Sequence, residues 1–253
     1  VLMYNQAIMS QTQHETHDNP AWWEGREFEH KAEAHALTQL LNLVTRRKSI
    51  VDIGGGFGRL TPVYAPYFSK LLLLDPSEKL LFFAQDYLKN VRGIEFKKGK
   101  AEKLPVASNT YDVALLVRVF DQFEDQKEVI REVSRILNEE GFIILQVENG
   151  FDFLKSIKGI AKRGKGISPS DQGGILDILK RQRFSILEIL SVSNLDFFLL
   201  RNLPLSTRLA LEEKLQKLLA SIWFGKSIFI LAQKRSEEAE KIVSENIIKP
   251  LRL

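Results

Sequence analysis

Residues 51–59 read V-D-I-G-G-G-F-G-R, an apolar run followed by four glycines within five positions. Glycine has no Cβ, so a turn built from it lets the backbone come close to a ligand. In sheets whose strands alternate with helices, such a turn after the first strand lies at the carboxyl edge, where these folds bind nucleotides. The stretch therefore predicts a binding edge for something flat or anionic.

Composition narrows the classes of protein to which this turn can belong. The chain has 253 residues, 44% of them hydrophobic and 27% charged, which is enough to build a core in one large or two small domains. It contains no cysteine, which excludes disulfides and thiolate chemistry and favours the cytoplasm. No apolar run reaches the roughly 20 residues that span a bilayer. The net charge of +4 permits an acidic partner without requiring one.

Strands and helices alternate along the first 150 residues. Apolar runs bounded by turn residues predict strands at 49–53, 71–76, 93–99, 111–117 and 141–149. Helical periodicity predicts helices at 27–44, 58–68 and 124–138, and one that begins after Ser77 as its N-cap. Nearly all-apolar strands separated by helices are typical of a parallel sheet with both faces covered. The fold class is therefore doubly wound α/β.

Three of these helices carry an apolar stripe that we expect to be buried, because its members recur at helical spacing. The stripes are Phe28, Ala32, Ala36, Leu40 and Leu43; Leu80, Leu81, Ala84, Tyr87 and Leu88; and Val129, Ile130, Val133, Ile136 and Leu137. His30 and His35 lie five residues apart and so do not share a helix face, which predicts two separate surface residues.

From Gly150 onward the regular alternation of strands and helices is interrupted. The segment from Lys155 to Lys165 holds five basic residues and no acidic one, which predicts an excursion away from the sheet. This composition suits an acidic small molecule, a peripheral contact with an anionic lipid surface, or RNA, and a solvated loop explains it equally well. It lacks interleaved aromatic residues, so we predict no dedicated nucleic-acid face. A helix at 171–182, a strand at 184–193, a helix at 206–223, a strand at 226–234 and a charged tail follow.

The glycine turn departs from the dinucleotide-binding pattern. Gly54 and Gly56 fit G-x-G-x-x-G, but Arg59 occupies the third position. Asp52, at the end of the first strand, would repel a pyrophosphate and attract a cation. Asp75, at the end of the second strand, can accept hydrogen bonds from both ribose hydroxyls. A ligand with a ribose and an ammonium but no phosphate satisfies both acids, and S-adenosylmethionine is such a ligand.

Four ordered blocks of the chain resemble a known family. V-D-I-G-G-G-F-G-R-L, L-L-L-L-D-P-S, K-A-E-K-L-P-V-A-S-N-T-Y-D-V-A-L-L-V-R-V-F and S-R-I-L-N-E-E-G-F-I-I-L look like the motifs of class I S-adenosylmethionine-dependent methyltransferases. The nearest type is the small-molecule one that includes the ubiquinone and menaquinone biosynthesis enzymes. The likeness covers about residues 48–148. It implies S-adenosyl-L-methionine as cofactor and a seven-stranded sheet whose last strand, at 226–234, is antiparallel.

The resemblance also implies an organisation and a set of cofactor-binding residues. It divides the chain into an N-terminal lid and helix at 1–45, a cofactor half at 46–150, a substrate half with the basic cover at 151–235 and a charged tail at 236–253. Asp52 and the glycine turn would face the methionine part, Asp75 the ribose and Pro76 the adenine. Ala101 would offer its N–H to the ring. The whole implied set is Asp52, Gly54, Gly55, Gly56, Arg59, Asp75, Pro76, Ala101, Glu102, Leu116 and Val117.

One position departs from the family. Relatives usually carry Asp where this chain has Lys100, and that Asp accepts the adenine amino group. A lysine ammonium is only a donor. Glu102 is therefore predicted to take over this role, and Lys100 to be a solvated loop residue.

Catalytic residues are harder to predict, because methyl transfer asks the protein for little beyond placing a nucleophile in line with the sulfonium. A general base would come from the pocket rim, where the candidates are His14, His17, Arg118, Asp121 and Glu148. Arg118 would otherwise meet an anionic acceptor or form a surface salt bridge. Trp22 and Trp23 would either wall the substrate or staple the N-terminal helix onto the core. We predict no metal, since no other ligand is anchored near His14 and His17.

These observations favour a methyltransferase that acts on a small, quinone-like or lipid-like molecule. V-R-V-F, after the fourth strand, lacks the Asn or Asp with Pro-Pro that often marks methylation of nucleobase nitrogens. Two alternatives stay open. One is a non-catalytic or nucleic-acid-associated protein that binds S-adenosylmethionine. The other is an NAD-dependent oxidoreductase, against which Arg59 and Asp52 argue.

Overall fold

A computed structural model describes residues 20–148, 172–193, 202–220 and 225–236. The helices in these ranges are α1 (Glu27–Leu43), α2 (Thr61–Tyr64), α3 (Glu78–Tyr87), α4 (Gln126–Ile136), α5 (Gln172–Arg181) and α6 (Leu205–Leu218). The strands are β1 (Ser49–Ile53), β2 (Lys70–Asp75), β3 (Ile94–Lys98), β4 (Tyr111–Leu116), β5 (Leu137–Glu148), β6 (Phe184–Val192) and β7 (Ser227–Lys234). Short 3-10 helices lie at Pro20–Trp23, Ala65–Tyr67 and Phe120–Gln122.

The seven strands form one sheet in the order β3-β2-β1-β4-β5-β7-β6. Strands β1 to β5 pair in parallel, and β7 is antiparallel to both β5 and β6. The doubly wound α/β class and the antiparallel last strand are therefore confirmed. Strand order reverses between β1 and β4, and a reversal of this kind opens a crevice at the carboxyl ends of the strands.

Helices cover both faces of the sheet. The stripe of α4 packs on one face together with Ile175 and Leu179 of α5. On the other face, α1 packs over β1, β4 and β5, while Leu81, Ala84 and Leu88 cover Leu73 of β2. Every member of the predicted α4 stripe is fully buried. Leu43 and Tyr87 are exposed instead, and each is the last residue of its helix.

The second helix and the fifth strand are among the elements whose bounds differ from those predicted. The helix expected at 58–68 is only α2 and the 3-10 turn that follows, since Pro66 has no N–H to continue an α-helical ladder. Strand β5 begins at Leu137 rather than 141. Leu137 pairs with Tyr111 and Phe142 with Val113, so the partner strands slip out of register in between. The residues expected to close α4 instead form this irregular start of β5.

Several predictions fall on residues outside the described ranges. His14, His17, the basic segment from Lys155 to Lys165 and the tail after residue 236 are among them. Within the described ranges, no helix combines the length and the apolar character that crossing a membrane requires.

Candidate functional site

The glycine turn leaves β1 and folds against β2. The N–H groups of Gly54 and Gly55 both donate to the carbonyl of Leu74, at 2.7 and 3.3 Å. Gly54 has φ +71°, and a Cβ there would lie 2.7 Å from Cγ1 of Val119. Only glycine meets both conditions without strain. The turn is therefore made of glycines because its backbone packs closely between the end of β2 at Leu74 and the side chain of Val119.

Asp75 fastens the turn to the end of β2. Its carboxylate is fully buried, with Oδ2 accepting from the N–H of Gly56 at 3.0 Å and Oδ1 from the N–H of Ser77 at 2.8 Å. The N-cap of α3 is the predicted one, Ser77, whose hydroxyl accepts from the N–H of Leu80 at 3.3 Å. These two bonds fix the carboxylate of Asp75 at the end of β2, and its ribose contact stays a prediction.

Asp52 is held from below by a buried tyrosine. The hydroxyl of Tyr64 donates to Oδ2 of Asp52 at 3.0 Å and lies 2.9 Å from the hydroxyl of Thr61. Burial, and then the negative charge of Asp52, raise the pKa of Tyr64 well above its ordinary value. The phenol therefore stays protonated and fixes the carboxylate at the end of β1.

The segment predicted to meet the adenine follows β3. Pro76 is exposed beside it, and Ala101 is buried. Lys100 is exposed, as predicted for a loop residue, and forms an isolated bridge with Lys103. Glu102 is half-buried. The adenine-side roles of Pro76, Ala101 and Glu102 stay predictions, as do those of Leu116 and Val117 at the end of β4.

A group of charged side chains lies at the same edge of the sheet, between α1 and the ends of β1 and β4. Arg59 donates to Oε2 of Glu33 at 2.6 Å. Arg118 lies 2.6 Å from Oε1 of Glu33 and 2.8 Å from Oε1 of Glu29, and Arg26 lies 3.1 Å from Oε2 of Glu29. We call these five residues the Glu33 ion cluster.

Aromatic and neutral polar groups enclose the cluster. The guanidinium of Arg59 stacks 3.6 Å from the ring centre of Trp23, and that of Arg26 lies 3.8 Å from Trp22. Nη1 of Arg59 lies 2.8 Å from Nδ1 of His30. The two tryptophans thus staple the start of α1 onto the cluster. His30, predicted as a surface residue, is half-buried because it packs in this staple.

Gln146 of β5 closes the far side of the cluster. Its Nε2 donates to Oε1 of Glu33 at 3.3 Å, the same oxygen that Arg118 contacts. Oε1 of Gln146 is buried and has no hydrogen-bond partner. The side chains of Arg118 and Gln146 are therefore neighbours, with one unpaired acceptor between β5 and α1.

Arg118 forms salt bridges, which is one of the two roles that the sequence leaves open for it, but they lie largely buried rather than at the surface. Only 19% of its side chain is exposed, and Glu33 and Glu29 raise its pKa although burial by itself lowers it. For the acid Glu29 burial acts in the opposite direction and by itself raises the pKa. The charge of Arg118 outweighs burial and holds the pKa of Glu29 below its ordinary value. Arg118 also has φ +62°, a left-handed conformation that is rare outside glycine and clusters at functional sites.

Asp121 and Glu148 meet at the ends of β4 and β5. Oδ2 of Asp121 accepts from the N–H of Glu148 at 2.6 Å, while Oδ1 is buried and unpaired. Burial, and then the nearby charge of Glu148, raise the pKa of Asp121 to about 6. The structure thus brings Arg118, Asp121 and Glu148 to one edge of the sheet, and their catalytic roles stay predictions.

Glu33, Glu29 and Gln146 were not among the predicted site residues. A signal for Glu33 exists in the sequence, since it lies three, four and seven residues before Ala36, Leu37 and Leu40, within the buried stripe of α1. Glutamate is almost never fully buried unless it is paired. Its partners lie far along the chain, however, and no local pattern identifies them.

Comparison with known proteins agrees with this geometry. Residues 51–145 match the family described as "Methyltransferase domain". The chain is 28% identical over 98 residues to the uncharacterized methyltransferase YcgJ of Bacillus subtilis, covering 38% of this chain and 39% of that protein. It is 26% identical over 108 residues to the ubiquinone/menaquinone biosynthesis C-methyltransferase UbiE of Klebsiella pneumoniae, covering 40% and 43%. The matches thus span about two fifths of these relatives.

Solved structures share the fold. An S-adenosylmethionine-dependent methyltransferase from Thermotoga maritima aligns with a TM-score of 0.61 at 19% identity, covering 87% of this chain and 98% of that one. The structure of YcgJ aligns with a TM-score of 0.55 at 17% identity, covering 81% and 99%.

The family match identifies residues 51–145 as a methyltransferase domain, and the seven-stranded sheet shares its fold with an S-adenosylmethionine-dependent methyltransferase of known structure. The cofactor that this domain implies is S-adenosyl-L-methionine. The site residues fit such a group, because the turn is free of side chains and Asp52 and Asp75 flank it with fixed carboxylates.

Proposed function

We propose that the protein is an S-adenosylmethionine-dependent methyltransferase with a small, quinone-like or lipid-like acceptor. The observation that carries the proposal is the pair of buried acids, Asp52 and Asp75, on either side of a glycine turn. Two backbone N–H groups hold the carboxylate of Asp75, which supports its proposed role toward the ribose. Asp52 would attract the cationic end of the ligand. The bound cofactor supplies the methyl group on its sulfonium.

The protein's own contribution is to position the acceptor and to exclude water. Trp22 and Trp23 cover the edge of the crevice through their stacking on the arginines of the Glu33 ion cluster. Asp121 provides a carboxylate oxygen with no partner, which suits it to take a proton from an acceptor hydroxyl. The small-molecule class is supported by the likeness to UbiE, which is named for quinone biosynthesis.

An alternative on the same turn is NAD, and the structure argues against it. Arg59 occupies the position of the third glycine and is fixed to Glu33, so it is not available to a pyrophosphate. The carboxylate of Asp52 would also repel that group.

Calorimetric titration tests the cofactor. Wild-type protein is expected to bind S-adenosylmethionine and S-adenosylhomocysteine but not NAD, and Asp75→Ala to weaken that binding by at least about tenfold, or 1.4 kcal/mol. Asp86→Ala, an exposed aspartate on α3, is the matched control and should bind as wild type does. Binding of NAD alone would overturn the proposal.

A second assay tests the acceptor class. Protein with methyl-labelled S-adenosylmethionine is incubated separately with a short-chain naphthoquinol, a lipid extract and total RNA. Label in the quinol or the lipid supports the proposed class. Label in RNA alone would favour the nucleic-acid-associated alternative.

A further inference from the structure

The loop between β3 and β4, residues 99–110, begins beside one of the two acids that flank the glycine turn. The N–H of Gly99 donates to the backbone carbonyl of Asp75 at 3.2 Å. A Cβ on Gly99 would lie 2.7 Å from Cδ of Pro105 and 3.2 Å from Cδ1 of Leu74, so the later part of the loop packs tightly against its start. The loop is therefore anchored to the end of β2.

Glu132 of α4 holds the loop from the other side. Its Oε2 accepts a hydrogen bond of 2.9 Å from the N–H of Leu104, and both residues are buried. The hydrogen bond from Arg135 holds the pKa of Glu132 below its ordinary value, so this carboxylate is charged at neutral pH. A buried N–H that donates to a charged oxygen forms a stronger hydrogen bond than one that donates to a neutral group.

Arg135, one helical turn after Glu132, adds further bonds to the loop. Its Nε and Nη2 donate to the two carboxylate oxygens of Glu132, at 2.8 and 2.9 Å. Nη2 also donates to the carbonyl of Leu104 at 3.1 Å, and Nη1 donates to the carbonyl of Val106 at 3.0 Å and to Oγ of Ser108 at 3.3 Å. All five N–H donors of the guanidinium are thereby used. The two side chains together fix three backbone groups of the loop.

Helix α4 carries a second pair of the same type that is not linked to the loop. Glu128 and Arg131 are also three residues apart, and Nε of Arg131 donates to Oε2 of Glu128 at 2.8 Å. Their side chains are 31% and 63% exposed, against 10% and 34% for Glu132 and Arg135. Across the described residues, no hydrogen bond joins either side chain of the exposed pair to residues 99–110. The loop contacts of the buried pair thus go beyond the pairing that this spacing provides on any helix.

The residues predicted to meet the adenine ring lie between the two anchored ends of the loop. Ala101 and Glu102 are the central residues of a turn, which is closed by the N–H of Lys103 donating to the carbonyl of Lys100 at 3.3 Å. Leu104 follows this turn directly. The hydrogen bonds from α4 therefore hold the turn at its second end, as the contact with β2 holds it at its first.

We propose that Glu132 and Arg135 are positioning residues for the cofactor, because they fix the turn that receives the adenine ring. The inference rests on the proposed function, which supplies the adenine. Without these bonds the loop would have to be ordered when the cofactor binds, and that ordering weakens binding. The loss should fall on the base, since the carboxylates of Asp52 and Asp75 have supports of their own.

The test compares two ligands that differ at the base. S-adenosylhomocysteine and S-ribosylhomocysteine, which lacks the adenine, are titrated calorimetrically into wild type, Glu132→Ala and Arg135→Lys. Wild type should bind S-adenosylhomocysteine more than tenfold more tightly, and both variants should reduce the ratio of the two dissociation constants by about tenfold. Arg135→Lys keeps a positive charge beside Glu132 but loses the planar fork that reaches two carbonyls at once.

The exposed pair of α4 supplies matched controls. Glu128→Ala and Arg131→Lys are the same changes at the same spacing, and both should keep the wild-type ratio. The ratio does not depend on the folded fraction, because a loss of folded protein weakens the apparent affinity of both ligands by the same factor. A variant that is only less stable therefore also keeps the wild-type ratio.

Amide hydrogen exchange, followed by mass spectrometry, measures the loop without a ligand. Peptides that cover residues 99–110 should exchange faster in Glu132→Ala and Arg135→Lys than in wild type, and by more than peptides of β4 do. The two control variants should exchange as wild type does.

The outcomes separate this inference from the proposed function. Wild type that binds S-adenosylhomocysteine, with a ratio that is unchanged in Glu132→Ala and Arg135→Lys, overturns the positioning role and leaves the proposed cofactor standing. Unchanged exchange of the loop in both variants also overturns the positioning role. Wild type that binds neither ligand overturns the proposed function and, with it, the adenine role of this loop.

Discussion

Oε2 of Glu33 accepts a hydrogen bond of 2.6 Å from Nη2 of Arg59, at a position where Glu33 has no exposed surface. The other oxygen of Glu33 contacts Arg118. One glutamate of α1 thus joins the residue after the glycine turn to the residue after β4. The two walls of the crevice are held at a fixed separation by a single buried carboxylate.

Replacing Glu33 tests this link. Glu33→Gln leaves two largely buried guanidiniums without their shared carboxylate, so we expect the free energy of unfolding to fall by about 3 kcal/mol. Urea denaturation monitored by circular dichroism measures the change. Glu27→Gln, on the exposed face of the same helix, should change it by less than about 0.5 kcal/mol. A Glu33→Gln protein as stable as this control contradicts the prediction.

Tyr64→Phe tests the support of Asp52. The change removes the hydroxyl that donates to Oδ2 of Asp52 and leaves that buried carboxylate with one fewer partner. We expect a loss of about 1–3 kcal/mol in stability and weaker binding of S-adenosylmethionine, measured by denaturation and calorimetry. Tyr67→Phe is the control, since Tyr67 contributes its ring to Arg47 rather than its hydroxyl to the site. Equal effects of the two changes would refute the role of Tyr64.

Gly54→Ala tests why the turn is bare. Both Gly54 (φ +71°) and Gly25 (φ +75°) are left-handed, but only at Gly54 would a Cβ collide, with Cγ1 of Val119 at 2.7 Å. Gly25→Ala should therefore cost only the backbone strain of about 1–2 kcal/mol, and Gly54→Ala distinctly more.

The double variant Gly54→Ala, Val119→Ala separates the two contributions at the turn. Removing the valine methyl groups should restore the part of the loss that comes from the collision and leave the backbone strain. Thermal melts of the three variants measure this. If the double variant loses as much stability as the two single variants lose together, the contact with Val119 is unimportant.

Asp121→Asn tests the raised pKa of Asp121. The folded pKa of about 6 lies above the ordinary aspartate value of 3.8, so the folded state holds this proton more tightly than the unfolded chain does. The contribution of Asp121 to the free energy of unfolding is therefore greatest below about pH 4 and is lost as the pH rises through 6. We expect Asp121→Asn to be more stable than wild type by about 1–2 kcal/mol at pH 8, and equal to it at pH 4.

Unfolding at a series of pH values measures the Asp121 effect. Asp86→Asn, an exposed aspartate of α3, should show the same pH dependence as wild type. If the free energies of unfolding of Asp121→Asn and wild type differ by the same amount at every pH from 4 to 8, the pKa of Asp121 is not raised.

The fold was predictable because it depends on local patterns. Strands of the S-I-V-D-I type and the stripe of α4 are set by neighbouring residues, and both appear where the periodicity places them. The start of β5 was not predictable in this way. Its bounds depend on the slip in register against Tyr111 and Val113, which belong to another strand.

The residues of the candidate site also differ in whether the local sequence marks them. Asp52, Asp75 and the glycine turn are visible because strand ends and turn residues mark them in the sequence. The Glu33 ion cluster is not, since its members meet only when α1 is laid across the ends of β1 and β4. Arg118 was therefore predicted at the right edge with the wrong surroundings.

The partners of Glu33 lie well after it in the sequence, so they are synthesised later than Glu33 itself. Arg59 follows it by 26 residues and Gln146 by 113, so a ribosome adding about 5–20 residues per second needs roughly 6–23 s to deliver all its partners. During that interval the carboxylate of Glu33 has to remain hydrated. Helix α1 is thus synthesised before the sheet it covers, and Glu33 meets the last of these partners only after β5 has emerged.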